Sequence, residues 1–240
     1  QIKAKLLSEY FNAQFTADNN VLPALLPRHT GAGISTIAFT PAVVSRIIKR
    51  LKGGAAAGPY GIPALFFKKS ISSLSQPLAC LFQIMFDNSY VPPIWSQAFI
   101  TAIFKKGDSS NPANYRPISL TCTACKIMES VIKDQLVFYL NSKGLISKQQ
   151  HAFITKHSTV TNLLECTHDW AVAMHGLNAV DTVYIDISRA FDSVVHSKLL
   201  YKLSNYGVSG NLLSWIDAFL SNRLQCVVTE HCFFLIGQLF

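Results

Sequence analysis

The sequence predicts a mixed α+β fold, and three observations support this class. Half of the 240 residues are hydrophobic and only 14% are charged, which excludes a mainly disordered chain and allows a core without disulfides. Several long segments carry apolar residues at helical spacing. Short β-branched and aromatic runs lie between them, and strands scattered among helices are typical of mixed α+β or α/β proteins.

The first 90 residues are predicted to be mainly helical. Thr40-Pro41 marks a helix start, because proline suits the first helical position, and Gly53-Gly54 ends that helix. The segment between Lys69 and Lys105 is apolar, but prolines interrupt it, so buried helices are expected and not a membrane span. The predicted elements are helices over 1–17, 40–52, from Pro63 onward and over 72–90, with loops over 18–38 and 55–61.

The next segment predicts a hairpin. Residues 98–104 and 115–120 are short runs rich in β-branched and aromatic residues, and the polar residues between them form a long loop. The remaining predicted elements are helices over 123–141, 158–175, 196–205 and 210–221, and strands over 182–187 and 223–229.

The positive charge is concentrated in one half of the chain. All of the net charge of +8 lies in residues 1–120, and residues 121–240 carry none. Such asymmetry indicates either a basic lobe that faces a polyanion or a solvated basic helix face. Both interpretations apply equally to the candidate basic residues Arg46, Lys49, Arg50, Lys52, Lys68 and Lys69.

Asp186 is an acid inside an apolar predicted strand. Burial of an ionised carboxylate is costly unless it is paired or bound to a metal. From the residues alone, Asp186 either caps the next turn or meets Arg189, or it holds a metal ion. Asp192, in a turn before a predicted helix, is expected to act as an N-terminal cap.

The cysteines predict reduced thiols. Six cysteines are too sparse and too unevenly spaced for a disulfide scaffold, and Cys122 and Cys125 lack a second pair that would complete a zinc site. No charged segment followed by an apolar core opens the chain, so no signal peptide is expected. These features predict an intracellular protein.

Several motifs occur in the order found in one enzyme family. Residues 184–194, YIDISRAFDSV, resemble the first carboxylate box of reverse transcriptases, and specifically of the non-LTR (LINE-type) retrotransposon group. The other segments that resemble family boxes are GPYGIP at 58–63, FKKGD at 104–108, NYRPISL at 114–120, QHAF at 150–153 with Ser158-Thr159, and Tyr206-Gly207, Trp215-Ile216 and FLSNR at 219–223.

The resemblance implies a right-hand polymerase fold and RNA-directed DNA synthesis. It implies two Mg²⁺ ions, an RNA template, a DNA primer and deoxynucleoside triphosphates, and a location in the nucleus or cytoplasm. Asp186 and the backbone carbonyl of Ile187 would hold metal, and Phe191 would exclude a ribose 2′-hydroxyl. Arg116 and one of Lys105 or Lys106 would hold the triphosphate.

The sequence departs from the family in one essential feature. The second carboxylate box of the family has paired aspartates, whereas no two of the nine aspartates here are adjacent. We therefore expect a fold truncated after the first part of the palm, and a chain inactive by itself. The expected divisions are an N-terminal helical lead-in over 1–52, fingers over 53–178, a partial palm over 179–228 and a divergent end over 229–240. The alternatives are a non-catalytic remnant that at most binds nucleic acid, and a helical interaction domain.

Overall fold

The structure is a computed structural model that describes residues 2–25, 31–229 and 232–239; for residue 229 and the last of these ranges it describes the backbone alone. The helices are α1 (Ile2–Asn12), α2 (Pro41–Arg50), α3 (Ala64–Lys69), α4 (Ile71–Asp87), α5 (Thr123–Ser142), α6 (Thr159–His175), α7 (His196–Asn205) and α8 (Gly210–Leu220). The strands are β1 (Gln97–Phe104), β2 (Tyr115–Leu120), β3 (Arg223–Thr229) and β4 (Cys232–Leu239). The α+β class is thereby confirmed.

The chain divides into two compact units. The first comprises Gln1–Tyr139 and Arg189–Phe240, and the second comprises Leu140–Ser188. The first unit contains the sheet and every helix except α6 and the last residues of α5.

The sheet of the first unit has the order β2-β1-β3-β4. β1 pairs with β2 as the predicted antiparallel hairpin, with Phe104 opposite Tyr115 and Ile103 opposite Arg116. β1 and β3 are parallel, which requires a long connection, and this connection carries β2 and helices α5 to α8. β3 and β4 are antiparallel.

One face of this sheet packs on α1. Ala4, Leu7 and Phe11 recur every three or four residues and are buried, because they lie on one helical stripe. Their partners in the sheet are Ala98, Ile100, Tyr115 and Val227, which together with α1 form one apolar cluster. This packing fixes the base of the β1–β2 hairpin.

A second core lies between α2 and α4. The hydroxyl of Thr40 accepts a hydrogen bond of 3.3 Å from the amide of Val43, and Pro41 opens the helix, as the sequence predicts. The buried face of α2 carries Val44, Ile47 and Ile48. Aromatic rings fill this core, and those of Phe39, Phe82, Phe86 and Trp95 meet at centroid distances of 5.7–6.2 Å.

Two sequence-based predictions are wrong. Residues 182–187 form no strand, and within the described part of the chain the backbone groups of 179–188 make no hydrogen bond. A strand requires a ladder partner, which an apolar run cannot supply by itself. Asp192 is not a helix cap, since α7 begins at His196 with Val195 in the capping position.

Across residues 2–25, 31–229 and 232–239, no helix combines the length and apolar character needed to cross a bilayer.

Candidate active site

The loop between β1 and β2 is held by a set of internal hydrogen bonds. The amide of Lys105 donates to the carbonyl of Asn114 at 2.8 Å, and the Asn114 side chain donates to the carbonyl of Asp108 at 2.8 Å. Gly107 has a φ of +92°, and a Cβ added there would lie 2.8 Å from Nδ2 of Asn114. The loop therefore requires glycine at this position.

Asp108 closes the tip of the same loop. Its carboxylate accepts hydrogen bonds from the amide of Ser110 at 2.8 Å and from the Ser110 hydroxyl at 2.7 Å. These two donors, the amide first, hold the pKa of Asp108 below its usual range. The hydroxyl of Tyr115 donates to the carbonyl of Ser109 at 2.8 Å, which ties the loop to β2. Asp108 is thus committed to the loop rather than available as a ligand.

The hairpin presents its cations to solvent. Tyr115 faces α1, so by the alternation of a strand Arg116 lies on the opposite face, on the same side as Ile103. Lys105, Lys106 and Arg116 are exposed, and none of them has an ion-pair partner within the described residues. Three unpaired cations at the end of a braced hairpin are suited to phosphate binding.

Residues 189–195 form a tight turn after Asp186. The amide of Ser193 donates to the carbonyl of Arg189 at 2.9 Å, and the amide of Val194 donates to the carbonyl of Phe191 at 3.2 Å. Arg189 adopts a φ of +55°, in the left-handed region. The side chain of Phe191 is 77% exposed, so it is not the buried core residue that its type alone would suggest.

Asp186 lies in an irregular segment of the second unit. It is exposed, and its carboxylate has no hydrogen bond or ion pair in the described part of the chain. Its neighbours Val183, Tyr184, Ile185 and Ile187 are between 69% and 85% exposed. The predicted alternatives of a capping role or a partner for this carboxylate are therefore absent from the described residues.

The sequence-predicted site residues fall into two groups. Lys105, Lys106, Arg116 and Phe191 belong to the first unit, and Asp186 and Ile187 belong to the second. No cluster of three potential metal ligands is present among residues 2–25, 31–229 and 232–239.

The basic face on α2 is partly used within the protein. Arg50 forms an ion pair with Asp134 at 3.1 Å, and Lys68 donates to the carbonyl of Leu51 at 2.9 Å, where it satisfies the end of α2. Arg46, Lys49 and Lys52 are exposed and unpaired within the described ranges.

The thiols at the start of α5 are buried, as predicted. Cys125 is fully buried, and its thiol donates to Glu129 Oε1 at 2.9 Å. Burial, and then the charge of Glu129, raise the pKa of this thiol far above its usual range. Cys125 is therefore an inert structural thiol rather than a metal ligand.

Sequence patterns did not reveal the contacts of His151. Its Nδ1 lies 2.9 Å from Thr161 Oγ1 and its Nε2 lies 2.7 Å from Glu165 Oε2, which joins the loop before α6 to that helix. The start of α6 gave no sequence signal for these contacts, because its capping box is formed by Ser158 and Thr161 and lacks the usual Glu or Gln.

Comparison with known proteins identifies the family. Residues 103–235 match the family described as reverse transcriptase (RNA-dependent DNA polymerase). The chain is 28% identical over 199 residues to a probable RNA-directed DNA polymerase from transposon X-element of Drosophila melanogaster, across 80% of this chain and 22% of that protein. It is 34% identical over 128 residues to the RNA-directed DNA polymerase from mobile element jockey of the same species, across 53% and 14%.

A further relative extends this group. The chain is 24% identical over 145 residues to the retrovirus-related Pol polyprotein from type-1 retrotransposable element R2 of Popillia japonica, across 60% of this chain and 20% of that protein. The chain thus spans roughly a fifth or less of the length of these relatives. The family match covers more than half of the chain, including the hairpin end and the Asp186 segment. The chain belongs to the reverse transcriptase family, and its relatives confirm the predicted resemblance to members from non-LTR retrotransposons.

Proposed function

We propose that this chain forms the fingers and the first part of the palm of a right-hand polymerase that copies RNA into DNA. In this proposal residues 1–52 are a helical lead-in, 53–178 the fingers, 179–228 a partial palm and 229–240 a divergent end. The partners are an RNA template, a DNA primer and deoxynucleoside triphosphates. The family match and the relatives support a reverse transcriptase; the residue roles below are our assignment.

The exposed cations of the β1–β2 hairpin are the observation that carries the proposal. Lys105, Lys106 and Arg116 are exposed and unpaired in the described structure, and the loop between the strands is braced from within. Arg116 offers a planar fork to phosphate oxygens, whereas each lysine offers a point charge. The bonds within the loop hold its backbone in place, so the ordering cost of binding a triphosphate falls mainly on the side chains.

Asp186 has the properties expected of a metal ligand. Its carboxylate is exposed and carries no competing partner among the described residues, and carboxylate oxygens suit Mg²⁺. The carbonyl of Ile187 would be the second contact from this chain. When bound, a pair of Mg²⁺ ions stabilises the charge that develops on the attacking and leaving oxygens. One carboxylate does not complete a two-metal site, so in our proposal synthesis belongs to a longer parent protein.

Phe191 is our candidate for selection of the sugar. Its ring is 77% exposed on a hydrogen-bonded turn five residues after Asp186. A ring that packs against C2′ of a deoxyribose would clash with a ribose 2′-hydroxyl. Such a contact rejects the larger sugar by steric exclusion.

Nucleotide binding by the 240-residue chain tests the proposal. A fluorescent deoxynucleoside triphosphate is titrated with Mg²⁺ against wild type, Arg116→Met, Lys106→Met and the control Lys143→Met, whose lysine is exposed and outside the candidate site. Loss of a charge-assisted hydrogen bond predicts about tenfold or more weaker binding for Arg116→Met. Equal affinity for Arg116→Met and Lys143→Met would exclude the hairpin as the triphosphate site.

A second candidate function is binding of nucleic acid without catalysis. Arg46, Lys49 and Lys52 are exposed and unpaired among the described residues, which favours this function. If single-stranded RNA binds through these three cations, changing all three to Met should make the slope of log affinity against log salt concentration shallower by about two. Lys133→Met is the control, because that lysine already lies 3.7 Å from Asp134. A salt slope that the triple substitution leaves unchanged would reject this function.

A further inference from the structure

A loop near the N-terminus is bonded to the first turn of α7. We call residues 16–21 the tether. The hydroxyl of Ser197 donates to Asp18 Oδ2 at 2.5 Å, and the ammonium of Lys198 donates to Asn19 Oδ1 at 2.5 Å. Lys198 also lies 3.8 Å from Asp18 Oδ1. The bonded residues are 179 positions apart in the sequence, so these contacts join distant parts of the first unit.

The tether also reaches the turn that carries Phe191. The amide of Thr16 donates to the carbonyl of Asp192 at 3.3 Å. The tether thus contacts the turn directly through Thr16 and contacts the helix after it through Asp18 and Asn19. Residues 189–195 are therefore held at their middle and, through α7, at their end.

The tether is shaped by its own side chains. The amide of Asn20 donates to Asp18 Oδ1 at 2.9 Å, and the amide of Val21 donates to Asn19 Oδ1 at 3.2 Å. Both oxygens of Asp18 are thereby used. Asx turns of this kind orient a carboxylate before it meets a partner. The carboxylate lies at the first turn of α7, where negative charge complements the helix dipole.

The turn after Asp186 combines its two internal backbone hydrogen bonds, Ser193 to Arg189 and Val194 to Phe191, with the contacts of the tether. Arg189 has a φ of +55°, a conformation that non-glycine residues keep only when their surroundings enforce it. Val195 takes the capping position of α7 without a side-chain hydrogen bond. The side chain of Phe191 on this turn is 77% exposed.

We propose that Asp18 is a positioning residue that fixes the turn over 189–195, and with it the ring of Phe191, by binding the first turn of α7. The inference rests on the proposed function in one respect, since it assigns Asp18 an effect on sugar selection through Phe191. The effect on the turn itself is independent of nucleotide binding, so the two parts are tested separately.

Hydrogen exchange of the 240-residue chain tests the effect on the turn. The reporters are the amides of Ser193, Val194 and Leu199, each of which donates to a backbone carbonyl. Asp18→Ala should speed exchange of the Ser193 and Val194 amides by about tenfold, the size expected for loss of a hydrogen bond to a charged group. The control is Glu9→Gln, which removes an exposed acid paired with Lys5 at 3.8 Å on α1.

A second variant keeps the test valid if Asp18→Ala disturbs the fold. Ser197→Ala removes the partner instead of the carboxylate, and the double variant Asp18→Ala/Ser197→Ala should exchange about as fast as the faster single variant, because the two residues act through one bond. Unchanged exchange at Ser193 and Val194 in both single variants overturns the proposal. Faster exchange confined to the reporter amides of Ser193, Val194 and Leu199 supports the proposal.

The ratio of the Kd values for ATP and dATP tests the effect on Phe191. Asp18→Ala should reduce this ratio by about threefold or more, because a displaced ring no longer discriminates the sugars. A merely structural role would weaken both nucleotides equally and leave the ratio unchanged, which overturns the link to Phe191. If wild type binds neither nucleotide while exchange still responds to Asp18→Ala, the proposed function fails and the tether's hold on the turn is supported.

Discussion

Arg116 lies directly opposite Ile103 in the ladder between β1 and β2, on the face of the hairpin that α1 does not cover. Ile103 is apolar and 49% exposed, so the residue opposite Arg116 in the ladder is not an acid. No ion pair neutralises Arg116 among the described residues. The hairpin therefore offers a cation without a competing anion in the described part of the chain.

The shape of the Arg116 side chain should matter as well as its charge. Arg116→Lys keeps the positive charge but loses the planar fork that holds two phosphate oxygens. We expect this variant to bind a deoxynucleoside triphosphate about threefold to tenfold more weakly than wild type, and more tightly than Arg116→Met. Fluorescence titration in Mg²⁺ measures both. Equal binding by the Lys and Arg forms would show that the fork makes no bidentate contact.

Gly107 should be required for the loop between β1 and β2. An added Cβ would meet Asn114 at 2.8 Å on a residue with a φ of +92°, so Gly107→Ala should lower the free energy of unfolding by more than about 1 kcal/mol. Gly61→Ala is a matched control, because Gly61 also has a positive φ, +67°, but nothing lies within 4 Å of its added Cβ. Urea unfolding measures the two losses. A loss no larger for Gly107→Ala than for Gly61→Ala would contradict the steric argument.

The parts of the fold that were predicted correctly are those with local signals. Thr40-Pro41 begins α2, and the helix predicted over 196–205 is α7, with the bounds His196–Asn205. The hairpin follows from two β-branched runs around a polar loop. In each case the chain within about twenty residues contains both the pattern and its partner.

The structural features that the sequence analysis predicted wrongly or missed depend on partners that are distant in sequence. The apolar run over 182–187 has strand-like composition, but no described residue completes its ladder. Asp18 and Ser197 carry no recognisable motif, and only the fold brings them within hydrogen-bond distance. β4 falls in the segment interpreted as a divergent end, and it forms because β3 supplies an edge to pair with. Long-range pairing is set by tertiary packing, which local patterns do not encode.

The acid stability of the chain should depend on Asp108. The amide and hydroxyl of Ser110 lower the pKa of this carboxyl, so its charged form is favoured more in the folded than in the unfolded state. The resulting stabilisation is present above an unfolded pKa of about 4 and is lost as the pH falls through the lower folded pKa. Asp108→Asn should therefore lower the Tm at pH 7 and flatten its decline below pH ~4.

Thermal scans from pH 7 to pH 3 check this expectation, with Glu9→Gln as the control for loss of an exposed acid. The control should leave the slope of Tm against pH close to that of wild type, since Glu9 pairs only across 3.8 Å with Lys5 at the surface. An Asp108→Asn curve parallel to that of wild type over the whole range would show that the Ser110 contacts do not favour the carboxylate.

The thiols should differ sharply in reactivity. Cys80 is exposed, whereas Cys122, Cys125 and Cys226 are buried, and the raised pKa of Cys125 further suppresses its thiolate. In native buffer at pH 8, iodoacetamide should modify Cys80 within minutes and leave Cys125 unmodified until the chain unfolds. Peptide mass spectrometry with and without urea measures this order. Early labelling of Cys125 in the native chain would contradict the burial of its side chain at the start of α5.

Asp186→Asn should separate metal binding from nucleotide binding. The exposed carboxylate of Asp186 is the candidate ligand of this chain, and an amide oxygen is a poorer ligand for a hard divalent cation. We expect Asp186→Asn to abolish the Mn²⁺-induced broadening of nearby NMR signals, while Asp181→Asn, an exposed acid five residues earlier, leaves it intact. Triphosphate binding without metal should be unchanged in both variants, because the cations that hold the phosphates are on the β1–β2 hairpin.

The wild-type chain should not extend a primer on RNA, since one carboxylate cannot hold two metal ions. Undiminished broadening in Asp186→Asn would refute the metal role assigned to this residue, and primer extension by the chain would contradict the account of an incomplete two-metal site.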